Sequence, residues 1–594
     1  MIPSLENNCM VVYDSGRNDW LYFRDPIRIY NVYDLESVTD TLLEVETLCK
    51  QGKYHAAGII SYEAAPAFDP ALATYTPGEF PFIWFGIYQE PVVFKFPSPS
   101  GKPPETPDWK PGISESEYRS AIRQIKEYIR AGDTYQVNFT YRLTITEGYD
   151  PWELFVQMIH AQGHGFGAFV KTEDWIVCSA SPELLFRLDG DELVSRPMKG
   201  TMERGLHMLQ DRNNRDWLRN SEKDRAENLM ILDMVRNDMG RVAVTGTVKT
   251  SDIFRIEKYP TVWQMTSTVS GKTGVDITEI IGALFPAASI TGAPKARTME
   301  IIRELESSPR KIYTGSIGYF SHNRTAQFNV AIRTALFHQQ DQTAEYGVGG
   351  GIVWDSAEGA ELRESHLKAR ILTHRLPEFA LLETISWRRG EGYFLLDAHL
   401  DRMVESADFF SRTIDTEKIR RQLGDLAENL SDHQYRVRLL AYQDGRSTVE
   451  ASRITEPVQH YRIRLACTPV NMNEDVFLYH KTTHRAVYDE ALAACPGFDD
   501  VILWNTRGEI TETCIANIIV EMDGQRFTPP VECGLLAGTF RNQLLSQGQI
   551  TERVVHIREL EHCSRILLIN SVRGMWQVEL ATDTAVAGQR SAAE

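Results

Sequence analysis

Positive charge is in short supply here. Lys and Arg together number 63 against 81 Asp and Glu, a formal net charge of -18 at pH 7. That balance excludes sequence-independent binding to nucleic acid or to an anionic membrane, since both need a basic surface. An anionic substrate would need a local basic pocket set against the overall field. Cysteine is sparse as well. Eight residues in 594, with no CxxC pair, suggest neither a zinc site nor a disulfide framework. Long apolar runs are missing: the best candidate, Ile280 to Ala293, is broken by Pro286 and Gly292 and is too short to span a bilayer. Met1 to Gly16 has neither the basic start nor the apolar core of a signal peptide. A phosphate loop is also lacking, because Thr266 stands where the glycine preceding Gly271-Lys-Thr would be required. These absences lead to the expectation of a reducing, cytoplasmic protein without nucleic-acid or membrane partners.

What is present is an ordinary globular composition, 42% hydrophobic and 24% charged, in a chain long enough for several domains. Residues 1 to about 96 alternate short β-like runs with polar stretches, and a proline-rich segment, Pro97 to Pro111, follows. An amphipathic helix is predicted from Glu115 to Ala131, ended by Gly132. Long polar helices are predicted over Asp216 to Asn237 and Ala360 to Leu376. Pro377 then precedes a new β-like start, Phe379-Ala-Leu-Leu-Glu-Thr-Ile. Strands and helices mix without a regular βαβ rhythm, so the fold class is α+β. The expected divisions are a β-rich N-terminal part at 1–110, a catalytic region at 111–376 and a second unit at 377–594.

Several residues carry chemistry. Lys199, in Arg196-Pro-Met-Lys-Gly-Thr, sits between a rigid proline and a glycine just past a strand-like stretch. Held out of bulk water, such a lysine is a nucleophile at neutral pH; the bland alternative is a solvated turn charge. Asp224 and Glu227 share one helix face by their spacing, and Glu361 and Glu364 share another. Facing one another across a divalent cation they would form a hard oxygen site suited to Mg²⁺, and otherwise they are two solvated faces. Arg333, on the β-like run Ala331-Ile-Arg-Thr, offers a fork for a carboxylate, and Gly347 to Gly351 offer closely approachable amides or a plain hairpin turn. Downstream lie His399-Leu-Asp-Arg402, Lys481-Thr-Thr-His-Arg485, Glu512 to Asn517, Gly534 to Arg541 and Asn570 to Gly574. They supply an amine, a carboxylate, arginines and turns rich in small residues, the set that pyridoxal phosphate needs for its aldehyde, ring nitrogen and phosphate. Read singly, Lys481 is a surface lysine and Glu512 a strand-end charge.

Taken in order, YIRAGDTYQVN (128–138), RPMKGT (196–201), KDRAENLMILDMVRND (223–238), SITGAPKARTMEII (289–302), YTGSIGY (313–319), AIRT (331–334) and GGGIVWDSAEGAELRESHLKA (349–369) resemble the chorismate-binding enzymes. That family includes anthranilate synthases, isochorismate synthases and aminodeoxychorismate synthases. The resemblance implies an anthranilate-synthase-like fold in which Asp224, Glu227, Glu361 and Glu364 bind Mg²⁺ directly or through water. It also implies that Tyr313, Arg333 and Gly351 hold a substrate carboxylate, with Lys368 nearby. Family members that make anthranilate carry alanine at position 199, whereas those that aminate chorismate at C4 carry lysine. The implied mechanism is attack by Lys199 on C2 as the 4-hydroxyl leaves, followed by addition of ammonia at C4. One departure is Gln264, where many members have a histidine; an amide donates a hydrogen bond but is no general acid.

Residues 379–580 resemble class IV pyridoxal-phosphate enzymes, which implies a D-amino acid aminotransferase-like fold. Within that resemblance Lys481 carries the cofactor, Glu512 pairs with its ring nitrogen, and Arg402, Thr539 and Ser571 contact its phosphate. The tyrosine that branched-chain aminotransferases place five residues after the lysine is replaced by Ala486, and the KTTxR run looks like the aminodeoxychorismate lyase branch. The two resemblances together imply conversion of chorismate to 4-amino-4-deoxychorismate and then elimination of pyruvate to give 4-aminobenzoate for folate. No Gly-x-Cys-x-Gly elbow is present, so ammonia is expected from a separate glutamine amidotransferase or from free ammonium. A homodimer through the second unit is compatible with this reading. The alternatives are an anthranilate-type synthase fused to an amino-acid aminotransferase, and a non-catalytic chorismate-binding scaffold. Lys199 and the missing tyrosine weigh against the first, and the retained lysines and carboxylates against the second.

Overall fold

The runs His55–Ile60 (HAAGII) and Ile83–Tyr88 (IWFGIY) are buried at every residue. Strands of that kind must be covered on both faces, and the architecture provides the cover. The computed structural model describes residues 5–97, 107–146, 148–163, 165–373, 377–454 and 460–581. Two compact units emerge: residues 1–204 with 214–376, and residues 205–213 with 377–594.

The first unit is built on two ten-stranded sheets. One runs in the order Gly292–Ala293, Gln136–Ile145, Thr343–Ile352, Thr334–His338, Trp175–Ser179, Ala168–Lys171, Cys9–Asp14, Asp19–Phe23 and Val92–Phe94, with Lys110–Pro111 joining Gln136–Ile145. The other runs Met198–Glu203, Val262–Lys272, Glu192–Arg196, Leu184–Asp189, Thr325–Val330, Ser316–Ser321, His55–Ile60, Ile83–Tyr88 and Arg28–Val32, with Lys249–Lys258 joining Val262–Lys272. They share a core in which Met10, Val12 and Leu21 of one sheet meet Ala57, Ile59 and Trp84 of the other. Helices cover the outer faces. Val38–Gly52, Glu222–Gly240 and Ile277–Leu284 contribute to a core with Phe85, Phe186 and Phe328, while Glu115–Ala131 and Pro151–Gln162 pack with Phe139 and Tyr346. The N-terminal strands are thus divided between both sheets.

Three local expectations need correction. Residues 1–96 are not strand and polar loop alone, since Val38–Gly52 is a helix burying Val38, Leu42 and Val45. The helix predicted over Asp216 to Asn237 is two, Met208–Asn220 and Glu222–Gly240, parted at Ser221. Ser221 has extended backbone and its hydroxyl accepts from the Asp224 N–H at 3.3 Å, so it starts the second helix as its N-cap. The helix from Ala360 is Glu358–Ala369 followed by one 3₁₀ turn at Arg370–Leu372; residues 374–376 lie outside the described part. Glu115–Ala131 has the predicted bounds, opened by a reciprocal Ser114/Glu117 cap and closed by Gly132 at φ +84°.

In the second unit, Gly392–Tyr393, Leu381–Arg388, Gln434–Ala441 and Ser447–Arg453 form a four-stranded sheet. Helices Leu396–Phe409 and Thr416–Glu428 bury Leu400, Met403, Ile419 and Leu423 with Val437 and Leu439 of that sheet. An eight-stranded sheet runs Ile510–Thr513, Asp500–Trp504, Arg462–Leu465, Gly574–Leu580, Arg565–Asn570, Asn517–Met522, Gln525–Thr528 and Thr551–Glu552. Pairing of Glu512 with Asn517 closes its first six strands into a ring. Among the described residues no helix is long and apolar enough to cross a membrane.

Candidate active sites

Lys199 lies on the strand Met198–Glu203, paired with Val262–Lys272. The register runs from Met198↔Thr266 to Thr201↔Gln264, three steps on one strand against two on the other. The extra residue makes a bulge at Lys199 and Gly200, and a bulge re-aims the side chain it carries. Gly200 takes φ +98°, and a Cβ there would meet the Cβ of Asp224 at 3.1 Å. Lys199 Nζ points at Gly351, where any Cβ would overlap it, and lies 3.4 Å from Glu227 Oε2.

The four carboxylates predicted as a cation site gather around this lysine and Lys368. Lys368 Nζ lies 2.8 Å from Glu364 Oε1 and donates to the Gly349 carbonyl at 2.9 Å. A Cβ on Gly350 would come within 3.3 Å of Lys368 Nζ, 3.6 Å of Glu361 and 3.9 Å of Glu364. Burial, and then the Glu227 and Glu364 charges, raise the Asp224 carboxyl above its usual range; burial and Glu364 do the same to Glu361. Burial opposes ionisation of Glu364 too, but Lys368 outweighs it and holds that group low. Among the described residues no three carboxylate, imidazole or thiol groups form a ready metal cage. The donor set nevertheless fits a hard divalent ion: crowded carboxyls that burial makes reluctant to ionise are those a dication would relieve.

Arg333 is not on a strand as expected. It sits between Thr325–Val330 and Thr334–His338 with φ +51°, a left-handed conformation that is costly for a side-chain-bearing residue. Its buried guanidinium donates to Gln162 Oε1, and among the described residues it has no carboxylate partner. Burial accordingly lowers its proton affinity. The buried Tyr313 ring lies against Gly347, leaving no room for a Cβ there, and Arg142 stands 5.1 Å from the ring centre. Gly347 to Gly351 belong to the strand Thr343–Ile352 and not to a loop, so their smallness admits the side chains of Tyr313, Lys368 and Lys199.

Two further groups at this site escaped the sequence reading. Glu183, fully buried just before Leu184–Asp189, accepts from the Ser289 hydroxyl at 2.5 Å, and burial lifts it to about 7 against the pull of Ser289 and Lys199. Gln136 is buried with both polar amide atoms unpartnered among the described residues, its amide 3.1 Å from where a Gly351 Cβ would be. A buried amide with no partner is a costly feature that a polar ligand would satisfy. Neither signal, burial nor missing partner, is visible in residue type and spacing.

In the second unit Lys481 follows the buried His480, and its carbonyl accepts from Leu382 N–H at 2.9 Å. Burial, then the Arg402 charge, lowers its amine to about 8. Arg402, on Leu396–Phe409, forks onto Glu383 at 2.9 and 2.6 Å and donates to the Ala537 carbonyl at 3.1 Å. His399, three residues earlier on the same helix, places Nδ1 2.6 Å from Glu383 and Nε2 3.2 Å from the Thr539 hydroxyl. Thr539 begins the helix Thr539–Ser546, and the Ser571 hydroxyl donates to the Thr384 carbonyl at 3.2 Å. Glu512 receives Tyr488 O–H at 2.8 Å, Leu536 N–H at 3.1 Å and Asn517 Nδ2 at 3.1 Å. Burial still lifts it to about 7. A depressed lysine, a buried carboxyl and a helix start tied to an arginine network suit the aldehyde, ring nitrogen and phosphate of pyridoxal phosphate. Tyr488, two residues past Ala486, therefore supports Glu512.

Residues 8–374 match the chorismate binding enzyme family and residues 380–581 match amino-transferase class IV. The chain is 37% identical over 327 residues to aminodeoxychorismate synthase component 1 of Klebsiella aerogenes, covering 55% of this chain and 70% of that one. To the protein of the same description from Escherichia coli K12 it is 41% identical over 275 residues, covering 46% and 60%. Anthranilate synthase component I from Streptococcus pneumoniae shares the fold, with a TM-score of 0.52 at 22% identity over 63% of this chain and 94% of that structure.

Proposed function

The chain belongs to the chorismate binding enzyme family and carries a class IV aminotransferase region behind that unit, and we propose that the two make 4-aminobenzoate from chorismate in successive steps. In the first, chorismate and ammonia give 4-amino-4-deoxychorismate; in the second, pyruvate is eliminated. Ammonia comes from a separate glutamine amidotransferase or from free ammonium, and the protein acts in the cytoplasm.

The observation that carries the first step is the bulge presenting Lys199 between Gly351 and Glu227. Arg333, buried without a carboxylate partner among the described residues, binds a substrate carboxylate, with Tyr313 and the glycine strand shaping the floor. Mg²⁺, held by Asp224, Glu227, Glu361 and Glu364, would supply charge to anchor the ring carboxylate. Lys199 Nζ, once deprotonated, bonds to C2 as the ring double bonds C1=C2 and C5=C6 move to C1=C6 and C4=C5 and the C4–O bond breaks. Glu183, poised near 7, is the proton donor whose ionisation suits departure of that hydroxyl as water. Ammonia then adds at C4 and the Nζ–C2 bond breaks, returning Lys199. The Gln136 amide is placed to orient the polar groups of the bound ring.

For the second step, Lys481, Glu512, Arg402, Thr539 and Ser571 would hold pyridoxal phosphate, which when bound stabilises negative charge at the substrate carbon beside the amine. Lys481 Nζ, already depressed to about 8, takes the proton from C4, and aromatisation drives loss of the enolpyruvyl group. Tyr488 and Asn517 fix the Glu512 carboxyl, while the Glu383, His399 and Arg402 network fixes the neighbourhood of Thr539. Incubation with chorismate, Mg²⁺, ammonium and pyridoxal phosphate, followed by chromatography, should give 4-aminobenzoate. Anthranilate as the product would contradict the reading of Lys199.

A further inference from the structure

A bulge takes backbone carbonyls out of the regular ladder, and buried carbonyls need replacement donors. At Lys199 both donors are side-chain amides. Gln264 Nε2 donates to the Gly200 carbonyl at 2.7 Å, and its Oε1 accepts from the Thr201 hydroxyl at 3.1 Å. Asn228 Nδ2 donates to the Lys199 carbonyl at 3.1 Å and reaches the Met265 carbonyl at 3.4 Å, while its Oδ1 accepts from Ser267 at 2.6 Å. Both amides are buried. They arrive from different elements: Gln264 from the paired strand, and Asn228 from the helix Glu222–Gly240, one residue past Glu227. The two carbonyls that flank the Gly200 Cα, those of Lys199 and Gly200, are thus each gripped from a different direction.

We propose that Gln264 and Asn228 are positioning residues for Lys199, clamping the bulge so that Nζ is presented to Gly351 and Glu227. The clamp adds to the reading of Lys199 as the nucleophile and rests on it for its catalytic consequence. Asn228 also ties the lysine to the helix that carries Asp224 and Glu227, so nucleophile and carboxylates keep one spacing. Gln264 acts through the backbone and needs no proton of its own.

The test uses the full-length protein with Gln264→Met, Asn228→Leu and Gln264→His. The first two keep size but remove the donor, and the third keeps a ring N–H that can reach the carbonyl. Two readings are taken: the rate at which acetic anhydride labels Lys199 at fixed pH relative to the exposed Lys53, by peptide mass spectrometry, and kcat and KM for amination with ammonium. In Gln264→Met and Asn228→Leu, Lys199 should label several-fold faster. Their kcat should fall roughly tenfold with KM for chorismate near the parental value, because a small misplacement of a reacting group costs turnover more than binding. Gln264→His should recover most of the turnover. Unchanged labelling in both donor-less variants overturns the clamp, whatever happens to turnover. Faster labelling with undiminished turnover leaves the clamp standing and overturns Lys199 as the nucleophile. If Asn228→Leu does not fold, the two Gln264 variants decide.

Discussion

The two units each hold a part-buried lysine at a site of proposed chemistry, and they prepare it in opposite ways. Lys199 sits among carboxylates, 3.4 Å from Glu227, on a bulge gripped by side-chain amides. Lys481 has no carboxylate within ion-pair distance among the described residues, and burial with Arg402 nearby brings it to about 8. The difference follows from the tasks proposed. Lys199 must meet an anionic substrate inside an acidic pocket, so it is aimed by the backbone and surrounded by charge. Lys481 must be neutral to capture an aldehyde and later to move a proton, so desolvation is its main preparation.

Removing each lysine separates the two halves. Lys481→Ala should abolish release of 4-aminobenzoate while chorismate is still consumed, and borohydride should no longer fix pyridoxal phosphate to the protein. A parental rate of 4-aminobenzoate release would remove the second unit from the chemistry. Lys199→Ala should lower amination by roughly a hundredfold or more, because Lys368, the other amine at the site, is committed to Glu364 and the Gly349 carbonyl, and residual turnover should shift toward anthranilate. Unchanged rate and product would break the contrast at its first member.

Smaller effects sharpen it. Arg333→Met should raise KM for chorismate by about ten- to a hundredfold, the worth of a charge-assisted hydrogen bond, without altering loading of the second unit. Steady-state kinetics and cofactor absorbance check both halves of that statement. The pH dependence of loading is the mildest test. The neutral amine of Lys481 is the reacting form, and its fraction grows as pH rises through about 8, so loading of cofactor-free protein should accelerate between pH 7 and 9 and then level off. A midpoint near 10.5, the ordinary lysine value, would show that desolvation is not preparing this group.

The α+β class and the identity of both regions were legible because ordered motifs survive as strings of residue types, from RPMKGT to KTTHR. The structure brings Lys199, Glu227, Glu361, Glu364 and Lys368 to one place around Gly350 and Gly351. What the sequence hid has physical reasons. Arg333 looked like a strand residue because its neighbours are apolar, yet it turns with φ +51°, a conformation set by tertiary packing. The Ser221 break was masked by a helical pattern on both sides, though Ser-x-x-Asp is a capping signal. Glu183 and Gln136 declare themselves only through burial and, for Gln136, through missing partners. Gln264 and Asn228 do so only through which carbonyls they reach.

The central claim is that two independent sites on one chain act in sequence, and a mixing experiment tests it most directly. Lys199→Ala and Lys481→Ala proteins are each incubated with chorismate, Mg²⁺, ammonium and pyridoxal phosphate, alone and then together. Alone, the first should leave chorismate almost untouched and the second should accumulate 4-amino-4-deoxychorismate. Together they should release 4-aminobenzoate and pyruvate in equal amounts. Failure of the folded, cofactor-loaded mixture to form 4-aminobenzoate from the accumulated intermediate would contradict the account.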